Sequence, residues 1–426
     1  MSHHKHFDLS ILRSFFIATL MLTTYAYAMN KLYKNEKGFS FVELIIIIFV
    51  LALIGATGWF VYKEHHKSTT TNTSKVSGEI STNIWTGKGN NYNWNDTANW
   101  SLGVPTNGQI LEIDVTNVTQ PTNQYGPTSF AFQDNLLGLV INKLLIYGEV
   151  DSINFSVTGD PLSITNGIVD SITQTPGTGD AIPRVEFDNT LNLNGSQTIQ
   201  TTADNMLTLL NSSNRTDINI GNATLAFDTS GSSQIDINGP ISGTGEILFP
   251  NSSITPNSGV LFENTSPNFN GTVSVGNGDI ISVNYADTSN SSSLTAFGNS
   301  NIDVMNGGAI SVVSTNTNSF TISNNISMGG NGVQAQTPNS GYTGAIGVCL
   351  STSDDGCDGG VKVNLTGKLT LSGNTELGAF YVVDGGSYGG TGSITSGNSV
   401  TYDIAQPIAG NYSVTSVPNS YVLIQK

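Results

Sequence analysis

The chain has 426 residues, with 15 lysines and arginines against 31 aspartates and glutamates, a formal net charge of −16, and only 11% charged residues. Ordinary soluble domains carry roughly 25%, and so acidic a chain lacks the cations that displace counterions from phosphates, which excludes nucleic acid as a partner. All five histidines (His3, His4, His6, His65 and His66) precede residue 67, so the body of the protein has no Ser–His–Asp triad, no Cys–His pair and no His-ligated metal.

In chain order, the first strong feature is residues 44–62, LIIIIFVLALIGATGWFVY, a run without a charge. As a helix it nearly spans a hydrocarbon layer of about 30 Å, and the isoleucine run leaves it no polar face, so it reads as a membrane span rather than a core helix. Lys31, Lys34 and Lys37 ahead of it favour a cytoplasmic amino terminus, although Lys63 and Lys67 make the other flank basic too. Glu43 stands at the head of this apolar run, where a lone carboxylate is costly and calls for a partner.

The string Gly38-Phe39-Ser40-Phe41-Val42-Glu43-Leu44, preceded by a basic leader and followed by isoleucines, resembles the processing and methylation segment of type IV pilins and pseudopilins. The resemblance covers residues 29–63. It implies cleavage by a prepilin peptidase between Gly38 and Phe39 and methylation of the new amino terminus at Phe39. It also implies a charge pair between Glu43 and the terminal amine of a neighbouring pilin or pseudopilin subunit. Opposite charges in a low-dielectric layer favour such pairing over separate burial.

Upstream, residues 9–28, LSILRSFFIATLMLTTYAYA, are rich in apolar residues and end in Ala-Tyr-Ala, the form of a secretory signal with its cleavage site. Met29 is an alternative start, ten residues before the Gly38 junction counted inclusively. The second reading is preferred, and under either one residues 1–38 are a leader removed from the mature protein. Residues 67–83, KSTTTNTSKVSGEISTN, hold too little apolar surface to fold alone and read as a flexible tether.

A dense aromatic patch follows, with Trp85, Tyr92, Trp94 and Trp100 set among Thr86-Gly87, Asn95-Asp96, Asn99 and Gly103-Val104-Pro105. This W-T-G…W-N-D-x-x-N-W…G-V-P pattern resembles a segment of bacterial surface β-helix proteins, including autotransporter passengers. Solenoid ends need caps, and tryptophans supply much apolar area from few residues. The patch (84–110) is therefore read as an amino-terminal cap, with Trp85, Trp94 and Trp100 as a sugar-stacking platform in the alternative.

Past Asp114 no amphipathic helix pattern appears. Instead, apolar residues two apart recur between Asn, Gly, Ser and Thr turns. Examples are Leu191/Leu193, Ile218/Ile220, Leu225/Phe227, Ile235/Ile237, Ile247/Phe249 and Val260/Phe262. Val273/Val275, Ile302/Val304, Ile310/Val312, Phe320/Ile322, Val361/Val363, Leu369/Leu371 and Phe380/Val382 continue the series. Short strands with one inward face suit a sandwich or a solenoid. The unbroken length and the Asn/Gly corners favour a solenoid of roughly 20–30 residues per coil, with neutral side-chain ladders between coils. The runs from Ile241, Phe269, Asn306 and Phe320 also resemble autotransporter passenger repeats over residues 235–335, and less clearly over 361–400. The ending SYVLIQK leaves no stretch for a membrane barrel, so only the passenger architecture is expected.

The two cysteines, Cys349 and Cys357, flank LSTSDDG. In an extracytoplasmic chain they read as a disulfide, two free thiols being the alternative. Asp354, Asp355 and Asp358 beside them match no calcium-loop spacing and read as a solvated turn, so no metal site is assigned. No catalytic residue is assigned either, because no cluster of acid, base and aromatic groups stands out, and no cofactor is expected.

The expectation is a mainly β protein: one amino-terminal transmembrane helix (39–66), then a single-stranded parallel β-helix ectodomain over 84–426. Its function is expected to be that of a pilin-like, non-enzymatic protein with structural or adhesive duties. It would sit in the bacterial inner membrane by a single pass, amino terminus cytoplasmic, with the ectodomain outside at the cell surface or in a pilus and able to meet a glycan or surface ligand. The alternative is a surface-anchored β-helix lyase or glycosidase.

Overall fold

The chain divides into two units, 1–78 and 79–426. The computed structural model describes only parts of the second: residues 80–89, 91–117, 128–150, 153–174, 183–202, 205–209, 218–229, 233–250, 259–284, 292–314, 319–333, 344–350, 361–378, 380–383, 393–396, 400–416 and 422–425. The predicted leader, membrane helix and most of the tether lie outside the described residues. Among the described residues no helix is long and apolar enough to cross a membrane.

The described chain is mainly β, built as long parallel sheets consistent with a β-solenoid. Lys143–Val150 is followed by Ile153–Gly159, Leu162–Ile164 and then Ile168–Gln174, and the last of these pairs in parallel with the first. Each lap therefore visits three stacks of strands and returns above its own start. The first stack runs from Thr82–Ile84 through Ile110–Asp114, Gln197–Thr201 and Asn325–Gly330 to Leu369–Gly378 and Val414–Ser416. The second begins with Thr128–Asp134 and rises through Arg184–Phe187 and Gln234–Ile237 to Ile346–Leu350. The third holds shorter strands, from Val140–Ile141 to Ile241–Ser242 and again from Phe320–Ile322 to Val422–Gln425. Single parallel bridges at Gly243/Phe269 and Ser293/Thr321 lie between those two runs. The one antiparallel strand pair among the described residues joins Phe380–Val383 to Ser393–Ser396.

Alternation drives this arrangement. A strand sends successive side chains to opposite faces, and in Ile110–Asp114 it is Leu111 and Ile113 that are buried, in Lys143–Val150 Leu144 and Ile146. Register then stacks like on like: Leu111 under Leu144, Leu144 under Ile168, Ile168 under Ile199. Higher up, Ile247 lies under Val273 and Val273 under Ile302. One continuous apolar core runs from Trp85 to Ile404. Every apolar pair named from the sequence between Leu191 and Leu371, Val361 aside, is buried in it. The side chains of Val361, Phe380 and Val382 lie outside the description.

Coil length varies more than the sequence suggested. Successive coils are joined across 22 residues at Thr224/Glu246, 24 at Asn142/Asn166 and 29 at Asn270/Asn299, but across 43 at Asn325/Lys368. Stacking fixes the strands, while the corners between them take insertions at small entropic cost.

The corners are held by neutral side chains. Asn166 donates to Asn142 Oδ1 at 3.5 Å, Asn299 to Asn270 Oδ1 at 3.3 Å and Asn325 to Asn301 Oδ1 at 3.2 Å. At another corner Asn189 donates to the Asp160 carbonyl and Asn264 to that of Asn238. Two glycines show why nothing larger fits at such turns. A Cβ on Gly271 would strike the Gly245 carbonyl oxygen, and one on Gly245 would strike that of Ala223.

Candidate functional site

The aromatic patch is the densest constellation among the predicted residues that the structure describes. Trp94 is fully buried, and Trp85 and Trp100 are each 3% exposed. Trp94 meets Trp100 edge-on at 5.7 Å, Trp100 meets Trp85 at 5.1 Å, and Trp85 meets Phe132 at 4.7 Å. Phe132 in turn stacks on Phe155 at 4.3 Å. The chain of rings feeds directly into the core, and burial this complete leaves no indole face open to a sugar.

The polar letters of the motif hold the rings in place. Asp96 caps the 3-10 turn Thr97–Asn99: its carboxylate accepts from Ala98 N at 2.9 Å and from Asn91 Nδ2 at 2.8 Å. These two bonds, the backbone one first, hold its carboxyl below the usual range. Asn99 is wholly buried yet satisfied, accepting from Gly89 N at 2.8 Å and donating to the carbonyls of Asn91 and Asn93, each at 3.0 Å. Trp100 Nε1 donates to the Trp94 carbonyl at 3.0 Å.

This loop turns the chain back across the first strand, Thr82–Ile84. Thr86 N donates to the Asn99 carbonyl at 2.7 Å and Ser101 N to that of Ile84 at 2.8 Å, with Trp85 and Trp100 bridged antiparallel. An otherwise open strand edge, which invites further pairing, is thereby covered. Asn83, at the tail of the segment read as a tether, belongs to this first strand and is fully buried. Its side chain donates to the Gly103 carbonyl at 2.8 Å and accepts from Leu102 N at 2.9 Å. The tether thus ends before Thr82, because hydrogen bonding rather than apolar area recruits these residues to the fold.

The remaining predicted positions are not brought to this place. Gly38, Phe39 and Glu43 lie outside the described residues, as do Cys357 and the aspartates at 354, 355 and 358. Cys349 is described only as a backbone position on the strand Ile346–Leu350. Among the described residues, no group of three or more His, Cys, Asp or Glu is placed to hold a metal ion.

Two functional candidates escaped the sequence reading. Asp134 and Asp170 point into the core and are fully buried. Burial pushes each carboxyl up to about 7, against a bond from Leu136 N at Asp134 and from Ile172 N at Asp170; the neighbouring Asp160 raises Asp134 further. Their signal was present: in Phe130-Ala131-Phe132-Gln133-Asp134 and Ile168-Val169-Asp170-Ser171-Ile172 the aspartate takes an inward position of the period-two pattern. Near the other end Tyr402 is buried, its hydroxyl set between the carbonyls of Gly378 at 2.8 Å and Ile346 at 3.0 Å. Burial drives its ionisation upward.

No family model, no curated protein and no solved structure matches the chain at a significant level.

Proposed function

We propose that this chain is a pilin-like, membrane-anchored surface protein whose stacked parallel strands form a β-helix displayed as a structural or adhesive rod. In this reading residues 39–66 are the single membrane pass, with the amino terminus cytoplasmic and the β body outside. A prepilin peptidase cuts at Gly38, Phe39 is methylated, and Glu43 pairs with the next subunit. The observation that carries the reading is the joining of two features in one chain: the GFSFVEL segment before an uncharged span, and a long parallel β stack with a covered first edge. Such a stack grows in length by adding coils, and each coil presents side chains at regular spacing to a partner or glycan. A carbohydrate-active enzyme remains the competing outcome of the test.

Terminal sequencing and intact mass of the membrane-extracted protein test the processing step. Methylated Phe39 at the terminus is the expected result, and a mature terminus at Met1 or Met29 would overturn it. Glu43→Ala should impair incorporation into filaments more than membrane insertion. Glycan binding without turnover supports the adhesive reading, whereas new reducing ends or unsaturated products would replace it with the enzymatic one.

A further inference from the structure

We propose that Asp134 and Asp170 are interior proton-binding positions that make the coils around residues 128–209 tighten in acid and loosen as the surroundings turn alkaline. The geometry is the same at both. Each carboxyl occupies an inward position of its strand and is fully buried, and each has Oδ2 without a hydrogen-bond partner. Asp134 Oδ1 accepts from Leu136 N at 3.1 Å. Asp170 Oδ1 accepts from Ile172 N at 3.2 Å and Asn205 Nδ2 at 3.3 Å, with the Thr201 hydroxyl beside it on the next coil in register. A buried anion needs a countercharge or several donors; among the described residues neither aspartate meets a cation, Asp134 has one donor, and the donors at Asp170 leave burial the larger effect.

The described groups that face each site carry no positive charge. Against Asp134 stand Gly159 in register and Asp160, whose carboxylate adds repulsion. Against Asp170 stand Ile146 below, Thr201 above and Asn205 at the corner, none of them charged. Among the described residues no lysine or arginine acts on either carboxyl. A proton on Oδ2 neutralises the group and supplies a donor for its surroundings, at Asp170 for the Thr201 hydroxyl.

The sign follows from proton linkage. The folded carboxyl titrates near 7 and the unfolded one near the ordinary aspartate value of about 3.9, so the closed coil binds the extra proton between those limits. The stabilisation is greatest below the lower limit and is lost as pH rises to the upper one. From about pH 5.5 to about pH 8 the opening equilibrium at Asp170 should rise about thirty-fold.

Hydrogen exchange of the full chain, corrected for intrinsic rates, reads this directly. Peptides over 168–174 and 197–209 should open about thirty-fold more at the higher pH, while peptides over 319–330, which hold no acidic residue, change little. Asp170→Asn, which places a donor where the proton would sit, should keep the 168–209 coils closed at both values, and Asp134→Asn should do so for 128–159. Opening that is independent of pH in the wild type, or an unchanged dependence in the Asn variants, would overturn the proposal. Should a variant fail to fold, infrared difference spectra of the wild type decide. The stretch of a protonated buried carboxyl should disappear with a midpoint near 7, and its absence at about pH 5.5 would count against the idea.

Discussion

Replacing Gly271 by alanine tests whether the corners owe their glycines to crowding rather than to conformation. The Gly271 backbone lies outside the left-handed region, so alanine pays no torsional cost there, yet its Cβ would meet the Gly245 carbonyl oxygen and stand 2.8 Å from Phe269 Cε2. Relief requires the two coils to part. That breaks the bond from Thr272 N to the Gly245 carbonyl, 3.1 Å, and strains the one from Asn270 N to the Gly243 carbonyl, 2.9 Å. The donor and acceptor left unsatisfied cost about 1–3 kcal/mol each, so the variant should lose about 2–6 kcal/mol. Gly103→Ala is the converse: φ is +83° with nothing within 4 Å of an added Cβ, and only the left-handed penalty of about 1–2 kcal/mol applies. Urea unfolding followed by far-ultraviolet circular dichroism compares the midpoints. A Gly271→Ala protein no less stable than Gly103→Ala would refute the crowding argument.

Asn99→Ala should strand Gly89 N–H and the carbonyls of Asn91 and Asn93, costing about 2–4 kcal/mol locally; the tryptophan emission should shift to the red and quench more readily, and an unaltered spectrum would contradict the capping role. Tyr402→Phe removes the hydroxyl held between Gly378 and Ile346 and should lower stability by about 1–2 kcal/mol, seen as a lower urea midpoint with earlier exchange over 344–350 and 400–404.

What could be read from the sequence was the face, not the neighbour. Leu225/Phe227 and Ile247/Phe249 announce an inward side by their spacing, and the structure sets Leu225 beneath Ile247 and Phe227 against Phe249 at 5.7 Å. Nothing in the spacing states that these two strands touch, because register is fixed by where the intervening corners end, and the corners differ in length. Asn83 shows a second limit. In a run of Ser, Thr and Asn its letter says solvent, and only the carbonyl of Gly103, twenty residues on, makes it a buried bracket. Asp134 and Asp170 show the opposite: the period-two pattern placed them inside, and the expectation that charge stays outside concealed it.

The scarcity of charge is a consequence of stacking. Parallel coils in register bring equivalent residues within about 4.7–4.9 Å on adjacent rungs, so an ionised side chain repeated at a corner would face its own kind, which is destabilising. An amide donates and accepts at once and so satisfies the rung below and the rung above. Asn325 does this, giving a bond to Asn301 Oδ1 and receiving one from Lys368 N at 3.1 Å. Carboxylates persist where the adjacent rungs hold donors: Glu246 lies between the hydroxyls of Thr224, 3.4 Å, and Ser274, 2.6 Å. Asn325→Asp alone removes one donor from an exposed ladder and should cost about 0.5–1 kcal/mol, whereas Asn301→Asp with Asn325→Asp adds repulsion between like charges one rung apart, about 1 kcal/mol more in a watery setting. That excess should vanish in concentrated salt and below about pH 3, where the carboxyls are neutral. A double variant whose loss merely equals the sum of the single ones, at low salt and neutral pH, would show that charge is kept from these corners for some reason other than stacking.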